Sequence, residues 1–145
     1  MLGWQDKKEA ERMRGAVACL GLGDRVRVEG FAADPRPYYA AADAFVLPTK
    51  FDPFSNATAE ALACGLPVIT TAANGVSELM TDGLEGMVLA DPYNLRGLAE
   101  ALARLQDADR KRMGEAGRAL AERLTWKRHV DGMLAVYDAV RRGRS

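Results

Sequence analysis

Apolar residues at Ala10, Met13, Val17 and Leu20 recur every three to four positions, which predicts a helix over 6–20, closed by Gly21 and Gly23. The period then changes. Residues 26–31, VRVEGF, alternate and predict a strand that leaves its sheet by a turn at Gly30. Pro35 and Pro37 open a short helix that ends at Asp43, and the apolar run Ala44 to Pro48 suits a parallel strand covered on both faces. A helix over about 56–64 starts at a Ser-Asn-Ala-Thr run and stops at Gly65, which accepts the left-handed conformation that ends helices. Pro67 opens a strand rich in β-branched residues, and Ala73-Asn74-Gly75-Val76 predicts a turn in which Asn is tolerated because it accepts positive φ. A short helix at Ser77-Glu78 and a short strand within 81–90 follow. Leu95, Leu98, Leu102 and Leu105 share one helical face, expected to be core. Residues 108–124 predict a second amphipathic helix, broken by Gly114 and Gly117. Thr125-Trp126 caps a last helix through Val130, Leu134 and Tyr137 to a tail carrying Arg141, Arg142 and Arg144. This order predicts an α/β fold, a Rossmann-like parallel sheet with right-handed crossovers and helices on both faces, with C-terminal helices appended.

At 145 residues one domain, 1–145, is expected. A chain of this size buries roughly 68–70% of its unfolded surface, enough for a core without staples. Lys plus Arg and Asp plus Glu are each 20, so the charge balance is neutral and gives no basic footprint for nucleic acid. Cys19 and Cys64 lie far apart, and the N-terminus shows no secretory apolar core. No apolar run approaches the ~20 residues of a membrane span. The expectation is a reduced, cytoplasmic chain, at most peripheral at the inner face of a membrane through its arginine tail. With one histidine, His129, and two separated cysteines, no metal-ligand cluster or Cys/His pair can be drawn, and no metal is expected.

Chemistry must therefore rest on carboxylates and backbone amides, and residues 51–78 supply both. Asp52 and Glu60 are eight apart, and Pro53 fixes φ just after the first. The helix predicted to begin between them has free N–H groups and a partial positive charge at its N-terminus, which favours a phosphate. Two acids beside a bound diphosphate are placed to accept hydrogen bonds from neutral hydroxyls, as a nucleotide sugar would offer. Lys50, at the carboxyl end of a strand, is within the region where open α/β sheets bind ligands, although a loop lysine is ordinarily only solvated. Asp43 reads better as a turn or cap acid than as a ligand contact, and His129, flanked by Lys127 and Arg128, as a surface residue.

The run Asp52, PFSNATA, Glu60, Ala61-Leu62-Ala63-Cys64-Gly65-Leu66-Pro67-Val68 resembles the signature of the retaining GT-B glycosyltransferases of the family 4 type: acid, seven residues, Glu, then Ala-x-Ala-x-Gly-x-Pro-Val. Tyr39-Ala40-Ala41-Ala42-Asp43 matches that family's Tyr-x-x-Ala-Asp, and the likeness extends from Val26 to Trp126. The wording of residues 52–79 is nearest to transferases of bacterial lipopolysaccharide core. The chain departs from the family in having Asp52 where Glu is usual, Ser55 where Gly is common, and Asn74-Gly75 for a frequent pair of glycines.

The resemblance implies one lobe of a GT-B fold, the donor-binding lobe, with the acceptor-binding N-terminal lobe missing. Also missing would be the opening strand-helix unit, which in the family bears an Arg and a Lys facing the diphosphate. By resemblance Glu60 takes the ribose diol, Asp52 the donor sugar's hydroxyls, and the amides of Asn56 and Ala57 the diphosphate. Gly30 would lie near the base, and Pro53, Phe54 and Ser55 line the donor. A hexose, with UDP-glucose suggested by the sub-family wording, would pass to a saccharide or glycolipid acceptor of the lipopolysaccharide type. The nucleotide would leave from the front face, and no cofactor or metal would be needed. Such a lobe alone would bind more readily than it catalyses. The alternatives are a non-catalytic nucleotide-sugar-binding subunit completed by a partner chain, and half of a GT-B sugar-nucleotide epimerase.

Overall fold

The computed structural model describes residues 7–105 and 107–143. The predicted helix start at Asp6, the end of the leucine-rich helix at Gln106 and the tail's Arg144 lie outside the described residues. The described residues group into two compact units, divided after Pro37.

In the first unit, α1 (Lys7–Cys19) forms on the predicted spacing and ends at Gly21, whose φ of +64° lies in the left-handed region. The strand expected at 26–31 is absent. Alternation gives a strand only where a second strand pairs its N–H and C=O groups. Among the described residues of this unit there is no strand, and the Val28 carbonyl accepts a long hydrogen bond from the Arg14 guanidinium, 3.4 Å. Asp34 accepts hydrogen bonds from the Arg36 guanidinium at 2.8 Å and from its amide at 3.1 Å, which hold the Asp34 carboxyl below the usual carboxylate range. The short α2 (Arg36–Ala41) starts there.

The second unit is built on three parallel strands in the order β1 (Phe45–Leu47), β2 (Val68–Thr71), β3 (Gly86–Leu89), with Phe45 beside Val68 and Val68 beside Gly86. Alternate residues face opposite sides, so helices are needed on both. Val68 joins Ala61, Leu62, Leu66, Val76, Met80 and Leu120 in one core, with α3 (Asn56–Ala63) covering that face. Ile69 and Met87 join Ala101 and Met113 in the other, under α4 (Leu95–Arg104). Burying the Val, Leu, Ile and Met side chains among these contributes roughly 1.5–3 kcal/mol each. The α4 stripe is rotated from the expected one. Ala101 is buried with Leu98 and Leu105 beside it, whereas Leu95 and Leu102 are exposed.

The second amphipathic helix is not broken: α5 (Asp107–Ala121) runs through both glycines. Their reason is packing, since a Cβ on Gly114 would stand 2.1 Å from the Gly65 carbonyl oxygen and one on Gly117 2.8 Å from Leu62 Cδ2. Lacking those Cβ atoms, α5 lies directly on α3. The last helix, α6 (Trp126–Arg142), is capped by Thr125, whose Oγ1 accepts from the Arg128 amide, and has no buried residue. No helix among the described residues is long and apolar enough to cross a membrane.

Candidate functional site

Loops leaving the carboxyl ends of β1 and β2 are sewn together by two threonine hydroxyls and two backbone amides. Thr70 Oγ1 donates to the Leu47 carbonyl at 2.9 Å and Thr71 Oγ1 to that of Thr49 at 2.6 Å, both threonines fully buried. Beyond them, the Asp52 amide donates to the Ala73 carbonyl and the Asp52 carbonyl accepts from the Gly75 amide. Gly75 is obligatory through contact, not φ, because a Cβ there would fall 1.9 Å from the Pro53 carbonyl oxygen.

Asn74 corrects a sequence expectation. Its φ of −98° is extended, so tolerance of positive φ has no part in its presence. Its fully buried carboxamide donates to Thr58 Oγ1 at 3.0 Å and Thr70 Oγ1 at 2.9 Å and accepts from the Val76 amide at 3.1 Å. One side chain thus ties the first turn of α3, the end of β2 and its own turn together. Sequence reasoning missed it; an Asn between a β-branched strand and a short helix was the available signal.

The start of α3 is set by Ser55, the first residue of the Ser-Asn-Ala-Thr run. Ser55 is the N-cap, buried, with its Oγ accepting from the Thr58 amide at 3.3 Å and its carbonyl from the Ala59 amide. Relative to alanine at this position, the serine cap contributes about 1 kcal/mol. The Asn56 and Ala57 amides have no intrahelical acceptor by α-helix geometry. They point along a helix end bearing about half a positive charge.

Asp52, half-buried, accepts from the Phe54 amide through Oδ1 at 3.2 Å, closing a turn over Pro53. Its other oxygen is not used in that turn. Phe54 is 45% exposed beside it. Glu60 stands four residues after Asn56 and three after Ala57, hence on their face of α3. It is exposed and accepts a hydrogen bond from the Tyr39 hydroxyl, 3.0 Å from Oε2. Burial first, and Glu60 second, push the Tyr39 phenol up to about 12. Tyr39 was read only as part of a motif spacing.

Lys50 holds its ammonium 4.9 Å from the centre of the Tyr93 ring, Asp43 pairs with Arg110 at 3.1 Å, and His129 rests edge-on against Trp126. Gly30 lies in the first unit, in an irregular segment, outside the left-handed region and with nothing within 4 Å of where its Cβ would be. An open groove past Arg128, His129, Met133 and Tyr137 is lined by α6 alone. Among the described residues no group of three His, Cys, Asp or Glu side chains could share a metal ion.

A parallel sheet that gathers an acid-bearing loop, a capped helix N-terminus and a second acid at its carboxyl edge is the frame on which residues 1–108 match the family described as Glycosyl transferases group 1. The chain belongs to the group 1 glycosyltransferases. Among relatives of this group 1 chain, a D-inositol 3-phosphate glycosyltransferase of Thermobifida fusca is 37% identical over 122 residues, 81% of this chain and 28% of that protein. The lipopolysaccharide core biosynthesis glycosyltransferase LpsE of Rhizobium meliloti is 32% identical over 114 residues, 77% of this chain and 33% of that protein. The group 1 chain therefore spans about a third of the length of these curated relatives. Among solved structures, sucrose-phosphate synthase of Thermosynechococcus elongatus superposes with a TM-score of 0.80 at 28% identity, over 98% of this chain and 38% of that one. HepE of Anabaena, solved in complex with UDP-glucose, superposes at 0.74 over 93% of this chain and 40% of that one, and at 23% identity it speaks for the fold alone. Such neighbours are GT-B glycosyltransferases, so the parallel sheet with helices on both faces is the α/β architecture of that fold.

Proposed function

We propose that this chain is the donor-binding lobe of a retaining glycosyltransferase, which transfers a hexose from a nucleoside diphosphate sugar to a saccharide or glycolipid acceptor carried by a second lobe. The observation that carries this reading is the division of labour on α3. Ser55 caps the helix with its own side chain, so the Asn56 and Ala57 amides stay available to a diphosphate, and Glu60 stands on the same face one turn further on. A carboxylate there accepts from a ribose diol, while Asp52, fixed by the Asn74 turn, accepts from the sugar at the other end. The UDP-glucose held by HepE makes that donor the first to test.

Titration calorimetry of this chain with UDP-glucose, GDP-mannose, the two nucleoside diphosphates and uridine is the direct experiment. One nucleoside diphosphate sugar should bind at one site, and Glu60→Ala should weaken it roughly tenfold or more, the worth of charged hydrogen bonds of about 1.5–3 kcal/mol. Uridine, which carries the same ribose diol, should weaken by a similar factor. Equal affinity of wild type and Glu60→Ala for every nucleotide would refute the reading.

A further inference from the structure

We infer that Tyr39 is a positioning residue that aims the Glu60 carboxylate at the ribose, resting on the reading above that Glu60 takes the ribose diol. Its ring is 9% exposed, sits in the core with Ala61 and Leu62, and meets Phe45 edge-on at 6.0 Å. The ring is therefore held by its packing, and its hydroxyl meets the Glu60 carboxylate. Two oxygens compete for its one proton: Glu60 Oε2 at 3.0 Å and the Ala57 carbonyl at 3.4 Å. The nearer, charged acceptor takes it.

Glu60 is otherwise an exposed side chain on a helix surface, free to populate several rotamers. The phenol selects one of them. A carboxylate has about four lone-pair directions, so donating to Oε2 leaves Oε1 and the rest of Oε2 for a pair of vicinal hydroxyls. Because its phenol stays protonated far above neutral pH, Tyr39 remains a donor under any condition in which the site would be used. The hydroxyl is thus spent on orienting the acid, and it need not touch the ligand. A preorganised acceptor discriminates a ribose from a 2′-deoxyribose better than a mobile one, since the mobile one adjusts to a single hydroxyl.

The test is Tyr39→Phe, which keeps the ring and removes only the hydroxyl. The readout is the ratio of dissociation constants for 2′-deoxy-UDP and UDP, and for 2′-deoxy-GDP and GDP, measured by calorimetry on this chain alongside melting temperatures. Wild type should favour the ribonucleotide about tenfold, and Tyr39→Phe should lower that preference at least threefold. Glu60→Ala should abolish it, and Tyr39→Phe added to Glu60→Ala should change nothing more. A Tyr39→Phe variant that keeps the wild-type ratio overturns the inference. It does so even where both nucleotides weaken together, because loosened packing alone would have that effect. If wild type shows no preference, or Glu60→Ala keeps it, the ribose assignment of Glu60 fails and the inference falls with it.

Discussion

Replacing Asn74 by alanine should damage this protein more than any substitution of an exposed acid at the site. The side chain is fully buried and makes three hydrogen bonds, two as donor to Thr58 and Thr70 and one as acceptor from Val76. The largest loss is the Val76 amide, which would be left buried without an acceptor at a cost of about 1–3 kcal/mol. The two threonine oxygens lose a donor each, about 0.5–1.5 kcal/mol apiece. Thr70 suffers less than Thr58 in this respect, because it still donates to the Leu47 carbonyl. The sum, about 2–6 kcal/mol, is large against the roughly 5–15 kcal/mol that holds a typical domain together. Urea unfolding followed by circular dichroism should show a midpoint lower by about 1–3 M for a slope of roughly 2 kcal/mol per molar. Thr58→Val should lose less on its own, and almost nothing further in the Asn74→Ala background, as members of one network do. A loss under about 0.5 kcal/mol, or strict additivity of the two changes, would refute the claim that this carboxamide joins α3 to β2.

Three further outcomes are expected. Gly114→Ala should lower the melting temperature although alanine is the better helix former by about 1 kcal/mol, whereas Gly132→Ala, with open space around its Cβ, should raise it; thermal melts that move both in one direction contradict the packing of α5 on α3. Asp52→Asn keeps the Oδ1 acceptor that the Phe54 amide needs, so the fold should be unchanged while UDP-glucose weakens about fivefold and UDP stays as it was; calorimetry showing both unchanged leaves only the turn. The fold favours the neutral Tyr39 phenol, so its contribution to stability is whole below the ordinary value near 10 and is lost as pH rises through about 12. Urea midpoints between pH 9 and 12 should therefore fall less steeply for Tyr39→Phe, and equal slopes would show that Tyr39 does not titrate in this way.

Elements whose signal is local were legible in the sequence. The spacing of α1, the Gly65 stop of α3 and the β-branched run of β2 each state their own structure, and each appears where the pattern put it. What depended on a neighbour was not. Val26 to Phe31 alternates like a strand, yet alternation says nothing of a pairing partner, and no strand forms. Gly114 and Gly117 look like helix breakers to a propensity scale, and only the approach of Gly65 and Leu62 shows why they are glycines. The leucine face of α4 was placed one position off because Ala101, small and unremarkable in sequence, is the residue that meets the sheet.

At the candidate site the same line divides backbone from side chains. The two acids and the helix that begins between them could be picked out from residue type and spacing. The Ser55 cap was signalled by the Ser-Asn-Ala-Thr run, whereas the Tyr39 to Glu60 hydrogen bond joins residues whose geometry no spacing rule states. Asn74 is the sharpest case. Its value lies in a three-way contact across residues 58, 70 and 76, whereas its backbone, the feature sequence reasoning considered, is ordinary.

The central claim is that a nucleoside diphosphate sugar lies on the N-terminus of α3, and amide-resolved nuclear magnetic resonance of the labelled chain tests it most directly. On titration with UDP-glucose, or with whichever nucleotide sugar calorimetry selects, the largest shifts should fall on the Asn56 and Ala57 amides, with Phe54 and Glu60 following. Gly132, Met133 and Tyr137 on α6 should stay in place. Saturable shifts along α6 with Asn56 and Ala57 unmoved, or no shifts with any nucleotide sugar, would contradict the claim.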